Sequence, residues 1–155
     1  MFLAEALIER KVLSNQITDL VMLIEDSAVI QEGDEAADIK KMLADLLQMH
    51  ERHAELDKNI RITNANTDLE GISLMEAIAK RDSLKFKAST FGNLVGRGYR
   101  RGMGRQAFRR SASEVRFTDL LDRNEIAEAR DGYAKLSREL DAKIQAKNWS
   151  IEIFD

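Results

Sequence analysis

The segment 96–110, GRGYRRGMGRQAFRR, concentrates residues that could bind an anion. Six arginines lie within 14 residues that contain no acid, and Tyr99 and Phe108 are interleaved with them. The arginines are Arg97, Arg100, Arg101, Arg105, Arg109 and Arg110. Guanidinium groups bind phosphate oxygens and aromatic rings stack on bases, so this composition is typical of proteins that bind single-stranded nucleic acid. Nucleic acid or another polyanion is therefore one predicted partner.

Acidic residues concentrate in a different part of the chain, because no Lys or Arg lies between Val12 and Ile39. The acids proposed here as the counterpart of the arginines are Glu25, Asp26, Glu32, Asp34, Glu35 and Asp38. The whole chain has 24 Lys and Arg against 27 Asp and Glu, so the charge is unevenly distributed rather than in large excess. We favour the interpretation that the Arg-rich segment binds the acidic segment of another copy, or of its own chain. Nucleic-acid binding is the alternative.

A metal site is a further possibility at His50, His53 and Asp57, whose spacing places them on one side of a helix. The spacing between the histidines is three rather than four, so they do not form the zinc-protease motif. Since His53 also falls on an apolar stripe, we favour a structural role for these residues and predict no metal and no cofactor.

Two arginines occupy positions where apolar residues are expected. Arg10 and Arg81 each interrupt a row of apolar residues at helical spacing. A buried guanidinium group must be paired, so we predict that Arg81 binds a carboxylate on another helix rather than an external anion. For Arg10 we expect an aliphatic stem on the stripe and a head group that reaches solvent or a carboxylate.

The sequence offers no recognisable catalytic machinery. It has no cysteine, no phosphate-binding loop of the form G-x-x-x-x-G-K-[ST] and no G-x-S-x-G nucleophile turn. GRGYRRG resembles a dinucleotide-binding loop only superficially, because it follows a predicted helix rather than a strand. We therefore predict a protein without catalytic activity.

The chain lacks proline, the residue most damaging to helix interiors. Apolar residues recur at alternating spacings of three and four, which defines a seam typical of helices packed on helices. The predicted helices span 3–26, 35–62, 73–95 and 123–147, the last with Leu136 on its buried face. Short strands near 28–31 and 114–118 are predicted to pair, 63–71 is predicted to be a polar connection, and 96–112 a Gly/Arg-rich loop.

These elements predict a mainly α protein of four long helices, arranged as antiparallel hairpins or a bundle with a minor β pairing, in one domain covering 1–155. Coiled-coil-like seams on four helices favour a homo-oligomer. No apolar run approaches the roughly 20 residues of a membrane span, and the N-terminus lacks the features of a secretory signal. A cytoplasmic protein without a membrane partner is the expectation.

Several stretches together resemble a small family of uncharacterised bacterial proteins, some of which carry the label septicolysin. The matching stretches are LAEAL at 3–7, QEGD at 31–34, Thr63-Asn64 with Thr67, Ala79-Lys80-Arg81-Asp82, and RELDAKIQAKNW at 138–149. The resemblance covers nearly the whole chain and implies an α-helical, oligomeric fold. It brings no catalytic residue or cofactor, and the chain lacks the long alternating strands that a pore-forming barrel requires.

Overall fold

The computed structural model describes residues 1–29, 38–107 and 119–154, and within these the side chains of all but 97–107. The described elements are α1 (Leu3–Ser27), α2 (Ile39–Asn66), β1 (Asp68–Leu69), β2 (Ile72–Ser73), α3 (Leu74–Ala107) and α4 (Arg123–Asn148). β1 and β2 form an antiparallel pair. The predicted fold class, mainly α with four long helices and a minor β pairing, is confirmed.

Aspartates cap the first turns of two helices, where backbone N–H groups have no intrahelical partner. Asp38 accepts a hydrogen bond from the backbone N–H of Lys41 at 3.0 Å, at the start of α2. Asp122 accepts from the N–H groups of Asn124 and Glu125 at 3.0 and 3.1 Å, at the start of α4. The negative charge also interacts favourably with the helix dipole.

The small β pairing lies elsewhere than predicted. α2 continues to Asn66, and the segment predicted as a polar connection then forms the β1–β2 hairpin. Its two turn residues, Glu70 and Gly71, have φ angles of 56° and 89°, the positive values that a tight hairpin turn requires. Of the strands predicted near 28–31 and 114–118, only residues 28 and 29 are described, and they form a bend. The rest lies outside the described residues.

The Gly/Arg-rich segment is a helix for most of its length, so the predicted loop is wrong there. α3 runs without interruption to Ala107, and residues 108–112 lie outside the described part. Glycine costs only about 1 kcal/mol per residue in a helix, whereas arginine, methionine and glutamine are good helix formers. Because the segment contains no proline, its glycines weaken this helix but do not end it.

Contacts between residues divide the chain into two compact units. The first comprises Met1–Met75 with Gln145–Asp155, and its core contains Leu3, Leu56 and Leu74. In it the antiparallel helices α1 and α2 pack along their seams. The second unit, Glu76–Ile144, contains most of α3 and α4. The single domain remains a prediction.

Two local features complete the packing. In the first unit the C-terminal segment leaves α4 and pairs with the N-terminus: Leu3 N–H donates to the Ile151 carbonyl at 2.8 Å, and Ile153 N–H donates to that of Met1 at 3.0 Å. In the second unit Leu136 is exposed, contrary to prediction, and Ser137 occupies the buried position. The Ser137 hydroxyl donates to the Arg81 carbonyl at 3.5 Å.

Candidate interaction site

A groove in the second unit lies between α3 and the start of α4. Its volume is about 350 Å³, and its lining includes Phe91 on α3, Ile126 and Ala129 on α4, and Leu120 and Leu121 just before α4. The side chain of Leu120 is almost fully solvent-exposed, at 92%. Large apolar side chains rimming a concave surface are typical of binding sites.

Arg123 connects the two walls of this groove. Its guanidinium group donates hydrogen bonds at 3.0 Å to the backbone carbonyls of Leu94 and Val95 on α3. It also forms a short ion pair with Asp119. The hydrogen bond from Arg123 is the main cause that lowers the pKa of Asp119, and the backbone N–H of Leu121 adds to this effect. The segment before α4 is thereby tied to the middle of α3.

The predicted anion-binding arginines follow the groove-forming part of α3 in the sequence. Arg97, Arg100, Arg101 and Arg105 belong to α3, whose axis continues beyond Val95. Their side chains lie outside the described part, as do Arg109 and Arg110 altogether. The backbone nevertheless places the first four on one continuous helix instead of a loop.

The predicted acidic counterpart is partly described. Glu25 and Asp26 are exposed in the last turn of α1, and Asp38 is exposed at the start of α2. These residues lie at the ends of α1 and α2 where the chain passes from one helix to the other. Glu32, Asp34 and Glu35 lie outside the described residues.

Asp57, one of the three candidate metal ligands, binds two arginines instead. Its carboxylate lies 2.8 Å from Nη1 of Arg10 and 2.6 Å from Nε of Arg61. Arg10 is therefore paired with a carboxylate on the neighbouring helix, one of the two outcomes expected for it. His50 is exposed and His53 half-buried. Among the described residues, no group of three His, Cys, Asp or Glu side chains could hold a metal ion.

The two arginines give Asp57 a predictable effect on acid stability. The hydrogen bond from Arg61 is the main cause that lowers its pKa below the ordinary 3.8; partial burial opposes this, and the hydrogen bond from Arg10 assists it. Because the pKa is lower in the folded state, the carboxylate stabilises the fold above about pH 4, and this contribution disappears as the pH falls through the folded-state pKa.

We expect Asp57→Asn to lower the free energy of unfolding at neutral pH by at most about 1 kcal/mol. The variant should also lose less stability than the wild type between about pH 6 and pH 3. Urea unfolding at a series of pH values measures both effects. Asp45→Asn, which changes an exposed carboxylate on the same helix, should keep the wild-type pH dependence. An identical pH dependence for Asp57→Asn and the wild type would contradict the assignment.

Arg81 is paired across helices, as predicted. Its Nη1 lies 2.8 Å from Asp141 on α4, and its Nη2 lies 2.8 Å from the neighbouring Asp82. Burial by itself would lower the pKa of Arg81, but the hydrogen bonds to Asp82 and Asp141 outweigh it and raise the pKa further. Arg81 thus holds α3 and α4 together and is occupied by internal partners.

Sequence reasoning missed both the groove and the role of Arg123. The consecutive leucines Leu120 and Leu121 gave a signal, since they precede a helix cap and lie outside any apolar seam. The sequence carried no comparable signal for Arg123, because its carbonyl partners lie 28 and 29 residues away. No helix in the described part of the chain combines the length and hydropathy needed to cross a membrane.

Comparison with known proteins assigns the chain to a family. Residues 10–153 match the sequence model of the Family of unknown function (DUF6847). The chain belongs to this family. It is also similar to a protein whose structure is described as "Crystal structure of a functionally unknown conserved protein from Corynebacterium diphtheriae". The two share 34% sequence identity with a TM-score of 0.86, and the match covers 99% of each chain. No curated protein matches. Neither match carries the septicolysin label, so that resemblance remains a prediction.

Proposed function

We propose that this protein is a non-catalytic interaction protein of the bacterial cytoplasm that assembles with copies of itself. In this assembly the arginine-bearing end of α3 in one copy binds the acidic end of the α1–α2 pair in another. The observation that carries the proposal is the segregation of opposite charges to two segments of the sequence: 97–110 has six arginines and no acid, and the segment from Val12 to Ile39 has acids but no Lys or Arg.

The acidic end has the properties of an exposed contact surface. Glu25 and Asp26 are exposed, and the last turn of α1 contains no basic residue to balance them. Acids at the C-terminal end of a helix interact unfavourably with its dipole. A partner that brings positive charge would remove this penalty, which supports an intermolecular role for these residues.

The arginine-bearing end lies close in sequence to the apolar groove. Val95, a half-buried seam residue of α3, immediately precedes this segment, and its carbonyl accepts a hydrogen bond from Arg123. Apolar contact area surrounded by charged residues is the common composition of protein interfaces. The groove and the arginines together therefore support a protein partner.

Nucleic-acid binding is the second candidate, and the continuity of α3 favours it. In a continuous helix Arg97, Arg101 and Arg105 are spaced by four residues, so they share one side of α3. A row of arginines along a helix is a typical electrostatic footprint of a nucleic-acid-binding protein.

A charge-reversal pair tests the proposal. One variant replaces Glu25 and Asp26 by Lys; the other replaces Arg100, Arg101 and Arg105 by Glu. We expect each variant alone to be monomeric in sedimentation velocity, because like charges then face each other. Their equimolar mixture should assemble again, since each variant retains the end that complements the other. The lysine variant should remain folded, because positive charge is favourable at a helix C-terminus.

Sedimentation velocity also provides the control and the results that would contradict the proposal. Lys80→Glu with Lys85→Glu changes exposed charges on α3 away from its arginine-bearing end and should leave assembly unchanged. A wild type that is monomeric at micromolar concentration would overturn the proposal. Salt-dependent oligonucleotide binding would favour the second candidate. In that case each contacting arginine removed should reduce the slope of log K against log salt by about 0.7–0.9.

A further inference from the structure

The sequences of α1 and α3 begin alike. LAEALIERKVL starts at Leu3 and LMEAIAKRDSL starts at Leu74. Five residues are identical at the same spacing, and they are Leu3, Glu5, Ala6, Arg10 and Leu13 in α1 and Leu74, Glu76, Ala77, Arg81 and Leu84 in α3. The arginine that interrupts the apolar seam is among them, so the match extends beyond general helix composition.

The ends of α2 and α4 match in the same way. Both contain Glu-Leu-Asp, followed by Ile three residues after the Asp and by Asn four residues after the Ile. These residues are Glu55, Leu56, Asp57, Ile60 and Asn64 in α2, and Glu139, Leu140, Asp141, Ile144 and Asn148 in α4. α1–α2 and α3–α4 are therefore related as two hairpins with the same order of elements.

Equivalent residues make equivalent contacts in the structure. Arg10 pairs with Asp57 at 2.8 Å in the first hairpin, and Arg81 pairs with Asp141 at 2.8 Å in the second. Three matched pairs are fully buried in both hairpins: Leu3 with Leu74, Ala6 with Ala77, and Ile60 with Ile144. Leu56 is buried, whereas its counterpart Leu140 is half-buried. The side-chain oxygens of both Asn64 and Asn148 are buried without a hydrogen-bond partner.

The hairpins also begin from equivalent junctions. Leu74 N–H donates to the carbonyl of Thr67 at 2.8 Å, three residues after Asn64. Leu3 N–H donates at 2.8 Å to the carbonyl of Ile151, three residues after Asn148. The pairing of Asp68 with Ser73 in the covalent turn corresponds to the bridge between Glu152 and Phe2 at the chain ends. We infer that the chain is an internal duplication of one helical hairpin.

The second hairpin then shows which side chains the hairpin fold does not require. On the first hairpin Met22, Leu43 and Leu47 are exposed at 57%, 46% and 65%. Their counterparts in the second hairpin are Asn93, Ala127 and Asp131, and both Asn93 and Asp131 are exposed. Since a related hairpin forms with polar or small residues at these positions, the hairpin fold does not require apolar side chains there.

These three residues lie at one level of the first hairpin. The Arg10–Asp57 pair marks one level of both helices. Twelve residues from this pair, toward the end where the chain passes from α1 to α2, lie Met22 on α1 and Asp45 on α2, and Leu43 and Leu47 flank Asp45. Because both helices rise by about 1.5 Å per residue, the side chains occupy the same height. Glu25 follows Met22 by one turn, so the apolar residues adjoin the acidic end.

We propose that a second copy of this chain docks on the first hairpin at this level, where it contacts the exposed side chains of Met22, Leu43 and Leu47, together called the outer apolar patch. The inference rests on the proposed function and names the apolar part of that contact. Charge complementarity identifies the occupant: the patch adjoins exposed acids, and the same chain carries an apolar groove followed along α3 by arginines. Such a contact joins different surfaces of two copies. It closes as a two-fold dimer if both copies make it to each other, and it produces rings or filaments if each copy binds a different neighbour.

The duplication supplies the test variant. The triple variant Met22→Asn, Leu43→Ala, Leu47→Asn gives the patch nearly the same side chains as the second hairpin. Position 47 receives Asn instead of Asp so that the net charge does not change. We expect the triple variant to retain the wild-type circular dichroism spectrum and to melt within a few degrees of wild type. In sedimentation velocity it should associate at least tenfold more weakly. The matched control Ser83→Val with Asn93→Met adds apolar residues to the second hairpin and should assemble like wild type.

Each outcome has a distinct meaning. If the wild type assembles and the folded triple variant assembles equally well, the apolar patch is overturned and the charge-based function stands. If the triple variant unfolds, these side chains are needed for folding and the inference fails. A monomeric wild type overturns the proposed function together with the patch.

Discussion

Leu74→Ala is expected to lower the free energy of unfolding by about 3 kcal/mol. Leu74 is completely buried where β2 passes into α3, and its backbone N–H is bound to Thr67. Truncation removes the transfer free energy of three carbon atoms and leaves a cavity that a close-packed core fills only partly. For a chain whose total stability is about 5–15 kcal/mol, the loss is severe.

The duplication predicts that Leu3→Ala has a similar effect, because Leu3 is buried to the same extent at the equivalent junction. Urea unfolding with an unchanged m value measures both losses. Leu120→Ala is the control, since Leu120 is almost fully exposed and its truncation should change stability by less than about 0.5 kcal/mol. A loss below about 1 kcal/mol for Leu74→Ala would contradict its place in the core.

Asp141→Ala should produce the second largest loss, about 2 kcal/mol. The Arg81 side chain is only 17% exposed, and Asp141 is its partner on the opposite helix. Without this carboxylate a partly buried guanidinium group keeps only the neighbouring Asp82, and the charge-assisted bond between α3 and α4 is lost. Removing one partner of a partly desolvated charge costs more than the intact pair contributes to stability.

The control for this prediction is Asp82→Ala. Asp82 is 58% exposed and adjoins Arg81 in sequence, so it does not connect helices. Its removal should cost no more than about 0.5 kcal/mol, as for other surface pairs. Thermal unfolding of both variants gives the comparison. Equal losses for Asp82→Ala and Asp141→Ala would show that the cross-helix contact has no special importance.

The helices of this protein were largely predictable from its sequence. The alternation of apolar residues by three and four depends only on helix periodicity, and the starts of α1, α3 and α4 were predicted to within one residue. The internal ion pair of Arg81 was also predicted, since a buried charge requires a partner. For Arg10 the sequence left solvent and a carboxylate as alternatives. The partners Asp57 and Asp141 could not be chosen from the many acids available.

Other features were decided by contacts between residues distant in sequence. On α4 both Leu136 and Ser137 fit a spacing of three or four from Tyr133. The structure buries Ser137, whose hydroxyl donates to the Arg81 carbonyl on α3. The β1–β2 turn was not predicted from the sequence, because Glu70 adopts a positive φ that its residue type does not favour.

The candidate site was also predictable from the sequence only in part. The sequence by itself determined where opposite charges concentrate, because charge is a property of each residue and needs no neighbour. Only the tertiary structure decided that a groove accompanies the arginine-bearing helix, since its walls at Phe91 and Ile126 are 35 residues apart in sequence and meet through packing. The helical state of residues 97–107 also emerged only there. Local glycine content argued for a loop, whereas helix formation is cooperative and an already packed helix extends at small cost per residue.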